Sequence, residues 1–72
     1  MSQLIINALL KEAEAKEAKA LANLNNYMAN AAGIGEHPDV VEECMKLVKD
    51  IAEARETKET VTSLVNENSD NR

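Results

Sequence analysis

Gly33-Ile34-Gly35-Glu36-His37-Pro38-Asp39 separates two long stretches of good helix formers, and its reading decides the fold. Gly33 suits the residue just past a helix end, where a positive φ is needed and a side chain would clash. Ile34, one position on, would fold back on Met28 or Ala29. Pro38 suits the first position of a new helix, because its φ is fixed and its missing N–H is not needed there. That makes His37 the N-cap. The alternative cap is Asp39, with Glu42 three residues on as its capping-box partner. Either choice starts a second helix within two residues of Pro38. Gly35 has no role in this capping scheme.

Upstream, Ser2 is a candidate N-cap, and residues 3–32 are rich in Ala, Leu, Lys and Glu, which favour a helix. Asn23, Asn25, Asn26 and Asn30 weaken its end. Downstream, Asp39, Glu42 and Glu43 put negative charge at the positive end of a second helix dipole. The chain thus divides into helix one over residues 3–32, a turn over 33–38, helix two over 38–65 and a polar tail over 66–72 that is expected to fray. All 72 residues form a single domain.

Each helix carries an apolar stripe in alternating steps of four and three, the pattern of a coiled-coil seam. Helix one reads Ile6, Leu10, Ala13, Glu17, Ala20, Leu24, Tyr27, Ala31; helix two reads Val40, Cys44, Leu47, Ile51, Ala54, Lys58, Val61, Val65. Folding the chain at its turn lays Ala31 opposite Val40, Leu24 opposite Leu47 and Ile6 opposite Val65. In every pair the two residue numbers add to the same total, so both stripes share a midpoint inside the turn. Two independently chosen stripes need not agree in this way. The fold expected is all-α, an antiparallel two-helix hairpin.

Two further expectations follow from the register. Each seam contains one charge, Glu17 and Lys58, in adjacent layers and facing small residues (Ala54 and Ala13). Room beside the alanines predicts a Glu17–Lys58 contact, with Glu14 and Arg55 paired alongside on the flank. Nearer the turn, that flank becomes apolar: Leu21 and Met28 on helix one, Val48 and Val41 on helix two. A lone hairpin would leave these four residues wet, and an uncovered apolar patch marks an interface. Chains this short seldom bury enough surface to stand without a staple. No disulfide can form within the chain, because Cys44 is its one cysteine. Self-association is the remaining staple. A homodimeric four-helix bundle is therefore expected, with Leu21, Met28, Val41 and Val48 in its interface.

Charge and composition exclude other classes. Eight Lys/Arg stand against thirteen Asp/Glu, and the surplus of acid lies entirely in residues 33–72. Nucleic-acid backbones and anionic membranes call for clustered Lys/Arg instead. No apolar run approaches the 18 or so residues of a membrane span, and residues 1–10 lack a positive n-region and a cleavage signal. A lone cysteine fits the reducing cytoplasm. One histidine and one cysteine do not make a structural zinc site. His37 reads as a turn residue, and Cys44 as a small apolar seam residue. Glu42 and Glu43 are adjacent and point to different parts of the helix surface. Gly33-Ile34-Gly35 follows a helix rather than a strand, unlike a phosphate loop. No catalytic, metal, cofactor or small-molecule site is expected, and the chain reads as a non-enzyme whose partner is itself. An acidic binding module acting on another protein, as inhibitor or adaptor, is the alternative.

The run Gly33–Asp39, together with Ala8-Leu9-Leu10-Lys11-Glu12-Ala13, resembles small uncharacterised helical proteins encoded by tailed phages of marine cyanobacteria and related ocean bacteria. The likeness covers roughly residues 2–65 and is most specific in the turn. It implies a phage or marine source and a place in the host cytoplasm, and it assigns no activity to any residue.

Overall fold

The computed structural model describes residues 2–30 and 39–70, with side chains through 67. They form two helices, α1 (Gln3–Ala29) and α2 (Val40–Asp70), packed side by side as an antiparallel hairpin. The molecule is a rod of 57 × 17 × 14 Å, so its core is a single seam rather than a centre.

The ends of the helices follow from local chemistry. Ser2 is extended and its carbonyl accepts the Ile6 N–H at 3.0 Å, which places it as N-cap. Its hydroxyl makes no capping bond, so that part of its expected role is unfilled. At the other end α1 stops at Ala29, three residues before the expected end at 32. Asn30 is the C-cap: its N–H donates to the Asn26 carbonyl at 3.0 Å, and its side-chain amide donates to Asn26 Oδ1 at 2.8 Å. Asparagine competes with the helix through such local bonds, which accounts for the earlier stop. Gly33, Gly35, His37 and Pro38 lie outside the described residues.

Asp39 caps α2. Its Oδ1 accepts the Glu42 N–H at 2.9 Å and its carbonyl accepts the Glu43 N–H at 3.2 Å. The first described helical residue is Val40, and Asp39, the alternative cap that the sequence offers, holds its start; the expectations for His37 and Pro38 fall outside the described residues. A carboxylate is the better cap, since it both accepts an orphan N–H and offsets the dipole. At its far end α2 continues to Asp70, five residues beyond the expected 65. Neither Gly nor Pro follows Val65, and extending an existing helix by one bond per residue costs little.

The seam lies where the two stripes place it. On α1 Ile6, Leu10, Ala13, Glu17, Ala20, Leu24 and Tyr27 are buried or half-buried, and the other described residues of α1 are exposed. On α2 the same holds for Val40, Cys44, Leu47, Ile51, Ala54, Lys58, Val61 and Val65, with Glu43 added. The most deeply buried residues are Ala13 (3% exposed), Ala20 and Ala54. Alanine brings the helices close but contributes little area, so the hairpin is tight and thin.

Candidate interaction surface

One position beyond the seam, on the same flank of both helices, run two further rows. On α1 the row is Asn7, Glu14, Leu21 and Met28; on α2 it is Val41, Val48, Arg55 and Thr62. All eight are exposed. The four apolar members keep much of their surface in water: Leu21 42%, Val48 47%, Met28 72% and Val41 77%. Met45 adjoins them, one turn after Val41 and before Val48, and is likewise exposed. The patch sits in the half of the hairpin nearest the connection, as the sequence places it.

A cluster of charge borders the patch. Glu17, on the seam, keeps only 13% of its side chain exposed and bonds two cations of α2. Lys58 Nζ meets Glu17 Oε1 directly, and Arg55 Nε donates to Glu17 Oε2 at 2.7 Å. These hydrogen bonds, Lys58 first and then Arg55, hold the Glu17 carboxyl below its ordinary pKa. The structure thus brings Glu17 and Lys58 together. It does not pair Glu14 with Arg55, and among the described residues Glu14 has no ion-pair partner. Helical side chains lean toward their own N-terminus. In antiparallel helices Glu14 and Arg55 therefore lean apart, whereas Glu17 lies in Arg55's reach.

The opposite flank is a groove of about 510 Å³. Its floor is the small seam residues Ala13, Ala20 and Ala54, and its rim carries Lys16, Lys19 and Glu53. Mixed, solvated charges on an alanine floor define no reaction chemistry. Among the described residues no group of three or more His, Cys, Asp or Glu could hold a metal ion. Cys44 is a half-buried free thiol. No described helix is long and apolar enough to cross a membrane. Leu4, Ile5, Leu9 and Leu64, at the open end, are also exposed apolar residues, which the seam reading missed. They fall outside the alternating stripe, and their sequence signal is size and apolarity alone.

Fold and surface together define a class: a small all-α helical hairpin with one uncovered apolar flank. Comparison with protein-family models, with curated protein sequences and with solved structures gave no match to this chain.

Proposed function

We propose that this chain is a non-enzymatic assembly protein whose working form is a homodimeric four-helix bundle. The observation that carries the reading is surface area. The chain exposes 5612 Å². A compact folded monomer of 7.9 kDa exposes roughly 4,400 Å². A thin rod of 57 × 17 × 14 Å carries more surface than a compact body of its mass, and the surplus of about 1,200 Å² leaves room for the roughly 800 Å² that each partner contributes to a standard interface. The uncovered Leu21, Met28, Val41 and Val48 supply the apolar part of that contact. On this reading, and with the phage resemblance of the Gly33–Asp39 run, the protein acts as a scaffold or accessory component in a host cytoplasm. Its first partner is a second copy. Sedimentation equilibrium tests this: a dimer of twice the chain mass is expected, and a monomer at all accessible concentrations overturns it.

A second reading rests on the outer surface of α2, which is acidic on balance although Lys46 and Lys49 lie within it. Glu42, Asp50, Glu53, Glu56 and Glu59 are all exposed, and a basic partner protein would complement them. An inhibitor or adaptor of this kind would be a folded monomer until its target binds, with the apolar flank as part of the contact.

A further inference from the structure

The two rows on the apolar flank are complementary to themselves in only one arrangement. We propose that the second copy docks on this flank with both connections at the same end of the bundle, about a two-fold axis parallel to the helices. This rests on the homodimer reading above and adds its orientation.

A face-to-face dimer of hairpins with two-fold symmetry has two forms. With connections at the same end, α1 of one copy faces α2 of the other at equal height. Leu21 then meets the partner's Val48, and Met28 meets the partner's Val41. Further along, Glu14 lies opposite the partner's Arg55, and Asn7 opposite the partner's Thr62. Apolar falls on apolar, acid on base and amide on hydroxyl, in all four layers. Arg55 suits a double role, because a guanidinium has five N–H donors and Glu17 engages only its Nε. Glu14 and the partner's Arg55 lean apart, as the same two residues do within one chain, so this layer sets unlike charges near each other without a direct ion pair.

With connections at opposite ends and full overlap, α1 faces α1. Leu21 then meets the partner's Glu14 and Met28 its Asn7, while Val48 meets its Arg55 and Val41 its Thr62. Every apolar residue is set against a polar one, and charges are buried without partners, which is strongly unfavourable. Sliding the copies until only the apolar halves overlap removes the mismatch but gives up about half of the contact. The same-end form alone joins the full flank with matching chemistry. It also gives the assembly polarity, with both connections at one end and all four chain ends at the other.

Single-cysteine variants in a Cys44→Ala background test the orientation. Met28→Cys chains are mixed with Val41→Cys chains, or with Asn7→Cys chains, under a mild oxidant. A disulfide needs Cα atoms within about 7 Å, so it reports which residues face each other. The expected result is efficient mixed cross-linking of 28 with 41 and little of 28 with 7. Leu21→Cys with Val48→Cys repeats the test one layer deeper and should behave as 28 with 41. Preferential cross-linking of 28 with 7 overturns the orientation, as does a dimer by light scattering that cross-links in none of these mixtures. A monomer by light scattering in the Cys44→Ala background and in the unmodified chain alike overturns the dimer itself, so the two failures are distinct.

Discussion

Glu17 and Lys58, 41 positions apart in the chain, are joined by a direct ion pair across the seam of the hairpin. Each is the one charge in its own apolar stripe. A slip of one heptad would set both against apolar layers, so the pair is expected to favour the present register.

Coupling between the two charges is therefore expected. In a double-mutant cycle with Glu17→Gln and Lys58→Met, the double variant should be more stable than the sum of the single changes implies. Independent sites are additive within experimental error, and additivity here would mean that the two side chains do not act together in solution.

The pH dependence has a defined sign. Lys58 and Arg55 lower the folded-state pKa of Glu17 below its ordinary 4.5. A carboxyl held low in the folded state contributes stability above the unfolded value and loses it as pH falls through the folded value. The stability difference between the unmodified chain and Glu17→Gln should thus be constant above pH 4.5 and shrink below it. Urea titrations across that range measure it. A difference that grew on acidification would reverse the assignment.

Asp39→Ala should cost about 1 kcal/mol, the usual loss for removing a carboxylate N-cap, read as a lower urea midpoint with an unchanged slope. Asp39→Asn keeps an acceptor and should retain most of the stability. Because the Asp39 carboxylate accepts the Glu42 N–H, His37→Ala should cost less than Asp39→Ala. A larger loss at His37 than at Asp39 would contradict the cap seen here.

How much of this was legible beforehand varies by residue. The alternating stripes placed every described seam residue from Ile6 to Val65, because burial in a two-helix rod has one period and one direction to satisfy. Glu43 escaped, since a seam-edge position next to a cap is set by the geometry of the helix start. Gly33 is the stronger stop signal in the sequence, yet the Asn26–Asn30 bonds accompany an end of α1 at Ala29, three residues before the expected 32. At the end of α2 the polar run from Asn66 predicts fraying, but polarity alone does not break a helix, and α2 continues to Asp70. The cap of α2 rests on the bond from the Glu42 N–H to the Asp39 carboxylate, a side-chain contact that sequence spacing does not fix. Sequence spacing sets Arg55 opposite Glu14, whereas the lean of side chains toward their N-termini gives it to Glu17. Met45 neighbours Val41 and Val48 at helical spacings of four and three, so it falls outside a row of positions seven residues apart.

The most direct test of the assembly is solution mass for the unmodified chain and for Val48→Glu, by light scattering with helix content followed by circular dichroism. Val48 is exposed in the hairpin, so a charge there leaves the single chain undisturbed, but in the dimer it would be buried without a partner. The unmodified chain should have twice the 7.9 kDa chain mass, and Val48→Glu should shift toward the monomer or lose helix as the bundle dissociates. A Val48→Glu protein with the same mass and the same melting curve as the unmodified chain would show that this flank is not where the copies meet.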